Sequence, residues 1–179
     1  LADGTYGVVL TAALPFVASI TKYDSNARSA EGMIANAGAG SLTGAIAEGE
    51  LGLNGTDERL GVLNAGSTTA TVILSFIFSG GSTYRTSLSV PARSQRELVV
   101  GDLPNFPSGQ PYGMVYESDI PVSVALNTAA FGEAVASATA DKGYTLWGFA
   151  EGFRPGDNDN HPGVTDYLRL YNPSSTETV

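Results

Sequence analysis

Residues 70–90 read ATVILSFIFSGGSTYRTSLSV, and this stretch decides the fold class. Its first part, residues 70–78, is rich in β-branched and aromatic side chains, and a Ser-Gly-Gly-Ser turn at 79–82 leads into a second such run. Two runs of this kind on either side of a glycine turn are typical of a hairpin. In the returning run one face would carry Thr86, Leu88 and Val90, and the opposite face Arg85, Ser87 and Ser89. We therefore predict antiparallel strands with one buried face and one solvated face.

Short runs of the same kind continue on both sides of this hairpin, separated by glycine, proline and small polar residues. We predict further strands at residues 6–10, 15–23, 42–49, 62–63, 96–100, 112–117, 120–126 and 144–150. A turn is predicted at Ser118-Asp119, and residues 91–94 are expected to interrupt the pairing. Residues 24–40 leave two alternatives open, one helical turn or an irregular strand. Strands at this spacing indicate an all-β protein, either a sandwich or a barrel.

The charge and composition of the chain exclude several classes of function. The 179 residues include 9 Lys and Arg against 18 Asp and Glu, for a formal net charge of -9, and no basic cluster occurs. Because a phosphate backbone would be repelled, we expect no nucleic-acid partner. The chain has no cysteine, which excludes disulfides, thiolate metal sites and thiol catalysis. No apolar run reaches the roughly 18 residues that would span a membrane, so no membrane span is predicted.

Several short sequence motifs occur twice in the chain at nearly constant spacing, which indicates a tandem repeat. The matched phrases are Tyr6-Gly7 with Tyr112-Gly113 and Pro15 with Pro121, both 106 residues apart, Ala47-Glu48-Gly49 with Ala150-Glu151-Gly152, 103 apart, and Asn64 with Asn172, 108 apart. The positions of these matches along the chain predict where each repeat begins. Residues 1–45 would be the back half of one repeat, residues 46–148 a complete repeat, and residues 149–179 the front portion of a further repeat. Incomplete repeats would expose unpaired strand edges, which proteins usually cover.

Five stretches of the complete repeat carry a resemblance to a known family. They read IAEG at residues 46–49, VLNAG at 62–66, SVPARS at 89–94, DL at 102–103 and ESDIPVSV at 117–124, and together they resemble the sensory rhodopsin transducer family. The second copy, at 149–152 and 167–173, is similar to the tandem repeats of secreted and surface proteins of bacteria. The resemblance implies antiparallel, jelly-roll-like β-sandwich repeats, no enzymatic activity, self-association, sugar binding in some relatives, and an extracellular or cell-surface location.

One polar loop offers candidate metal ligands. Asp157 and Asp159 lie in this loop, and Asp166 follows closely behind. Carboxylate oxygens on alternate loop positions suit Ca²⁺, although the glycine and terminal glutamate of an EF-hand loop are absent. The alternative is an ordinary polar β-loop around the single histidine, His161. Calcium is the one cofactor that the sequence suggests.

Aromatic residues near the second copy suggest a glycan site. Trp147, Phe153 and Tyr167 could form an aromatic platform for sugars, but aromatic side chains at such positions are also common in a core. Asn54 begins an Asn-Gly-Thr sequence, which is either an N-glycosylation acceptor or a plain turn. Glu48 and Glu151 occupy equivalent repeat positions, which favours a repeated structural role over a catalytic carboxylate pair.

The leading hypothesis is a non-enzymatic extracellular structural protein, a subunit of a surface array or filament assembled by β-strand complementation. Its partners would be copies of itself. The assembly residues would lie in the two terminal segments, namely Val8, Val9, Leu10, Tyr167, Leu168, Leu170 and Tyr171. The alternative is a carbohydrate-binding or adhesive module of a larger secreted protein, with glycans as partners. A cytoplasmic signalling transducer is the third hypothesis, which the repeat phase disfavours.

Overall fold

The computed structural model describes residues 6–24, 29–34, 40–52, 56–130, 133–140, 170 and 172. The strands within these ranges are β1 (Ser19–Asp24), β2 (Ser29–Ile34), β3 (Ser41–Gly49), β4 (Asp57–Asn64), β5 (Ala70–Phe78), β6 (Thr83–Val90), β7 (Ser94–Val99), β8 (Tyr112–Ala130) and β9 (Glu133–Ala138). A short 3-10 helix follows β7 at Val100–Asp102. The chain divides into two compact units, Leu1–Lys142 and Gly143–Val179, and all of these strands lie in the first.

Strand β8 is the centre of the fold because it pairs with strands on both halves of the sheet. Its first half pairs antiparallel with β3 and β5, and β5 pairs with β6. Its second half pairs antiparallel with β4 and β9, and β4 pairs with β7. Strands β3 to β9 therefore form one curled antiparallel sheet whose two halves meet along β8, and β1 and β2 form a separate two-stranded sheet. This arrangement confirms the predicted all-β, sandwich-like fold class.

The core lies where alternate side chains of β4, β5 and β8 point inward. On β5 the even-numbered residues from Ala70 to Phe78 are buried. Phe76 makes edge-on contacts with Tyr84, Phe106 and Tyr112. A strand period of two thus places one face of each strand in a common core. On β8 the buried residues are also even-numbered, namely Tyr112, Met114, Tyr116, Val122, Val124 and Leu126.

The predicted hairpin at residues 70–90 is confirmed. β5 and β6 pair antiparallel from Ala70 opposite Val90 to Ile77 opposite Thr83. Gly81 adopts a φ of 82°, a left-handed conformation that glycine reaches without steric cost, and its N–H donates to the Phe78 carbonyl at 2.8 Å. Residues 91–93 then carry the chain from β6 to β7, so the predicted interruption at 91–94 begins where expected, although Ser94 already belongs to β7.

The turn predicted at Ser118-Asp119 is wrong, because β8 runs through this point as one strand of 19 residues. Pairing with β5 ends at Ser118, and pairing with β4 begins at Ser123. Pro121 lies in the interval between them, and none of the described strands has a residue paired opposite it, so its missing N–H removes no hydrogen bond from the described ladders. The proline and polar residues that suggested a turn therefore mark the point where β8 passes from one half of the sheet to the other.

The N-terminal part of the chain differs from the prediction in two places. The strand predicted at residues 6–10 is wrong, because these residues form no strand. The strand predicted at 15–23 is shorter at its start, since pairing begins at Ser19. Residues 24–40 contain β2, which pairs with β1 and favours the strand alternative. The strand predicted at 144–150 lies outside the described residues, and the predicted repeat boundaries, at 45/46 and 148/149, stay predictions.

Candidate functional site

The most unusual surface of the described chain is an apolar one near its start. We use the term N-terminal segment for residues 6–18, which contain no charged residue. The side chains of Val8, Val9 and Leu10 are 58%, 59% and 58% exposed, and Val17 is 91% exposed. Single exposed apolar residues are ordinary, but a run of them marks an interaction surface.

The local structure of the N-terminal segment explains this exposure. The segment forms no strand, although its sequence has β character. Gly7 approaches the outer side of the β4–β7 pair, where a Cβ atom on residue 7 would lie 2.5 Å from Leu63 Cδ1 and 3.3 Å from Gln95 Cβ. The segment therefore touches the sandwich at Gly7 while its larger apolar side chains remain exposed.

A buried carboxylate forms the second notable feature. Glu58 on β4 is fully buried, and the Tyr112 hydroxyl donates to its Oε2 at 2.5 Å. The Glu50 backbone N–H donates to Oε1 at 2.6 Å, and the Thr128 hydroxyl donates to the same oxygen at 3.4 Å. We call these four residues the Glu58 cluster. They connect β4, both halves of β8 and the loop after β3.

The electrostatics of the Glu58 cluster follow from its burial. Desolvation raises the pKa of Glu58 above its ordinary value, while the hydrogen bonds from Tyr112, Glu50 and Thr128 oppose that rise. The pKa of Tyr112 is also raised, first by burial and then by the Glu58 charge and hydrogen bond. Since the carboxylate has three donors around it, the cluster is suited to holding strands together.

Asn64, which the predicted repeat matches with Asn172, has a clear structural role. Its side chain is fully buried at the end of β4. The amide nitrogen donates to the carbonyls of Thr68, Val90 and Pro91 at 2.8, 3.0 and 3.1 Å, and the amide oxygen accepts from the Gly66 N–H at 2.9 Å. Asn64 thus joins the β4–β5 turn to the end of β6 and holds two connections in place.

Most of the predicted site residues lie outside the described residues. Leu170 is described and is 73% exposed, and Glu48 is exposed on β3. Within the described ranges, no group of three or more His, Cys, Asp or Glu side chains could hold a metal ion. The predicted residues outside these ranges are the proposed calcium ligands Asp157, Asp159 and Asp166, the aromatic residues Trp147, Phe153 and Tyr167, the glycosylation candidate Asn54, the assembly residues Leu168 and Tyr171, and also Glu151 and His161.

The sequence reasoning missed Glu58, although a signal for it was present. Glu58 has the same parity along β4 as Leu60, Val62 and Asn64, all of which are buried. An acidic residue in phase with the apolar face of a strand indicates a buried carboxylate that needs donors. Its donor Tyr112 lies 54 residues away, so the sequence around Glu58 could not identify this partner.

These features define a class of protein: an antiparallel β-sandwich with a hydrogen-bonded interior carboxylate and an exposed apolar segment near its start. In the part of the chain that the structure describes, no helix has the length and apolar character to cross a membrane. The family model described as Anabaena sensory rhodopsin transducer matches residues 42–140, which is more than half of the chain. The chain belongs to this family, as its sequence motifs suggested.

The solved structures that are similar to this chain include two that show the extent of the likeness. The crystal structure of Thermotoga maritima 1070 is 20% identical, with a TM-score of 0.52, and the match covers 57% of this chain and 96% of that chain, which supports the fold. The Anabaena sensory rhodopsin transducer is 30% identical, with a TM-score of 0.43, and the match covers 48% of this chain and 93% of that chain. Among curated proteins, none is similar enough to count as a match.

Proposed function

We propose that this protein is a non-enzymatic structural protein of the cell surface, a subunit of an extracellular array or filament that assembles by β-strand complementation. The observation that carries the proposal is the exposure of the N-terminal segment, whose sequence corresponds to that of the buried central strand β8. The apolar side chains of this segment are exposed, whereas the corresponding side chains of β8 are buried, so the segment presents apolar surface for a partner to cover.

The correspondence between the two segments extends along the inward face of β8. At the spacing of 106 residues, Tyr6, Val8, Leu10, Leu14, Phe16 and Ile20 correspond to Tyr112, Met114, Tyr116, Ile120, Val122 and Leu126. In β8 these side chains belong to the core or pack against it. In the N-terminal part they are exposed, by 77% for Leu14 and 52% for Phe16.

Covering the N-terminal segment would supply the driving force for assembly. Burying one Val, Leu or Phe side chain stabilises a complex by roughly 1.5–3 kcal/mol. Strand addition also satisfies main-chain hydrogen bonds, and a head-to-tail contact of this kind gives an open polymer unless it closes into a ring. The uncharged character of the segment favours an apolar partner strand over an ionic contact.

Two substitutions in adjacent residues test the proposal. Leu10 corresponds to the buried Tyr116, whereas Thr11 corresponds to the exposed Glu117. Leu10→Glu should prevent assembly because it places a charge on the face to be buried, and Thr11→Glu should leave assembly intact. Light scattering and negative-stain electron microscopy measure the assembled fraction, and the melting temperature of each variant checks that the sandwich remains folded.

Electron micrographs of the unmodified protein decide the proposal directly. Elongated particles that grow with protein concentration are expected. Compact monomers or closed tetramers at every concentration would contradict it, as would equal assembly of the Leu10→Glu and Thr11→Glu proteins.

Family membership favours a second candidate, a transducer role like that named for the Anabaena protein. The family match covers residues 42–140, so such a role would depend on the sandwich and not on the N-terminal segment. Deleting residues 1–18 should therefore leave binding to a sensory rhodopsin unchanged, while it should abolish assembly. The deletion separates the two candidates in one protein.

A further inference from the structure

Strand β6 lies at one side of the sheet, and its outer side is unpaired among the described strands. Of those strands, only β5 pairs with β6. Near the start of β6 the Tyr84 hydroxyl donates to the Pro104 carbonyl at 3.2 Å, and at its end the Val90 carbonyl accepts from the Asn64 side chain at 3.0 Å. We call the outer side of residues 85–89, between these two contacts, the β6 edge. A row of unpaired backbone groups of this kind can pair with a further strand.

The other outer strands of this sheet have features that oppose strand addition. β3 is joined to the chain just after β9, because the Ala45 N–H donates to the Ala140 carbonyl at 2.8 Å and the Ala140 N–H donates to the Ala45 carbonyl at 3.0 Å. On β7, Arg96 lies opposite the buried Val62 and therefore on the core-facing side. A charged residue on the core-facing side of an edge strand opposes pairing with a further strand.

The described residues of the β6 edge show no such feature. Thr86 and Leu88 lie on its core-facing side, where both are uncharged and half-buried, and Leu88 packs against the core. The one charged residue, Arg85, lies on the opposite side, where it forms an exposed ion pair with Glu117. β6 contains no proline, and its pairing with β5 shows no shift of register. The β6 edge is therefore suited to an uncharged strand with apolar side chains on one face.

The N-terminal segment contains a stretch with the composition and length for this edge. Residues 8–14 read VVLTAAL, without charge or proline, and Pro15 follows them. Because proline has no N–H to donate, it would end the added strand at that point. If this stretch lay beside β6, its alternate apolar side chains would extend the core-facing side formed by Thr86 and Leu88.

Within one chain, the N-terminal segment lies elsewhere on the sheet. Gly7 approaches Leu63 of β4 and Gln95 of β7, which belong to the half of the sheet that contains β9. The β6 edge belongs to the other half, where β5 pairs with the first part of β8. The segment, β4, β6 and β7 all lie in the same compact unit, Leu1–Lys142. A strand for the β6 edge would therefore come from a second copy of the chain.

We propose that residues 8–14 of one copy add as a strand to the β6 edge of a second copy, while Gly7 stays against its own β4 and β7. This inference rests on the proposed function and names the edge that accepts the segment. Each copy offers one segment and one edge, on different halves of its sheet, so the contact is head to tail and repeats from copy to copy. It would cover the exposed apolar side chains of the segment and the unpaired backbone groups of β6.

Hydrogen–deuterium exchange of the unmodified full-length protein tests the β6 edge. Assembly should slow exchange at residues 8–14 and 85–89, because their amides gain hydrogen bonds to the partner strand. Residues 94–99 of β7 are the internal control and should exchange equally fast in monomer and polymer. Slower exchange at residues 94–99 in place of 85–89 would overturn the β6 edge as the acceptor. Equal protection of residues 8–14 in the dilute monomer would overturn the second copy as the partner.

Two adjacent substitutions on β6 give a second test. Thr86→Lys places a charge on the core-facing side of the β6 edge, as Arg96 does on β7, and should abolish assembly. Ser87→Lys places the same charge on the exposed side and should leave assembly intact. The melting temperature of each variant checks that the sandwich remains folded, and equal assembly of the two folded variants would overturn the proposal.

The outcomes separate this inference from the proposed function. Polymers of the unmodified protein without slower exchange at residues 85–89 would overturn the β6 edge and leave the assembly proposal standing. The absence of polymers would overturn the assembly proposal itself.

Discussion

Glu58 shows how one residue can connect distant parts of this fold. Its carboxylate accepts hydrogen bonds from the Tyr112 hydroxyl, the Glu50 backbone and the Thr128 hydroxyl, so one side chain on β4 contacts both β8 and the loop after β3. Burial of a charged group is costly, and its hydrogen bonds offset part of that cost. Removal of the carboxylate would therefore break three hydrogen bonds, one to each of Tyr112, Glu50 and Thr128.

We predict that Glu58→Ala lowers the free energy of unfolding by about 2–4 kcal/mol, because the buried Tyr112 hydroxyl and Glu50 N–H would lose their acceptor. Asp57→Ala is the matched control, since Asp57 is the preceding residue on β4 and its ion pair with Arg59 is exposed. The control should change stability by about 1 kcal/mol or less. Urea unfolding measures both values, and an equal effect of the two substitutions would contradict the structural role of Glu58.

The raised pKa of Glu58 predicts a dependence of stability on pH. The folded state holds this proton more tightly than the unfolded chain, so the contribution of Glu58 is fully present below the ordinary value of 4.5 and is lost as pH rises through the folded-state pKa. Glu58→Gln removes this titration and should become more stable relative to the unmodified protein as the solution is taken from acidic to neutral pH. A constant difference between the two proteins over that range would contradict the prediction.

At the scale of the element, β8 is continuous although its middle carries a proline. Pro121 lies between the residues that pair with β5 and those that pair with β4. Ala125, four residues later, pairs with Gly61 on one side and Ala138 on the other. Proline should therefore have little effect on stability at position 121 but should destabilise the sheet at position 125.

We predict that Ala125→Pro lowers the free energy of unfolding by at least about 2 kcal/mol, because it removes a donor from the interior of the sheet. Pro121→Ala should change stability by about 1 kcal/mol or less. Thermal unfolding followed by circular dichroism compares the two variants. If Ala125→Pro melted at the temperature of the unmodified protein, the pairing of β8 on both sides would be wrong.

At the scale of the whole molecule, net charge would oppose the proposed assembly. Each copy of the chain carries a formal charge of -9, while the N-terminal segment is uncharged. Repulsion between subunits is screened by salt, since the Debye length falls from about 30 Å at 0.01 M to about 8 Å at 0.15 M ionic strength. The apolar contact that drives the proposed assembly is not weakened by this screening.

We therefore predict that raising the ionic strength from about 0.01 M to about 0.15 M increases the assembled fraction. Sedimentation at a fixed protein concentration measures this fraction, and the Leu10→Glu protein serves as the control that should stay unassembled at both salt concentrations. A decrease in assembly with salt would instead indicate ionic contacts between subunits.

Local pattern was enough to predict the β5–β6 hairpin, the all-β class and the family. The alternation of Thr86, Leu88 and Val90 with polar residues is a property of one strand, and a period of two reports which face is buried. The interruption after β6 was also visible locally. These features could be predicted because each depends on residues that are close in the sequence.

Tertiary structure alone decided which segments have partners. Residues 112–130 and residues 6–24 correspond in sequence, yet β8 is a strand along its whole length whereas the first part of the earlier segment is not, because strand pairing depends on neighbours that are distant in the chain. The burial of Glu58 depends in the same way on Tyr112. The sequence by itself determined which segments have the alternation typical of β-strands. Pairing between residues distant in the chain determined which of those segments form a sheet.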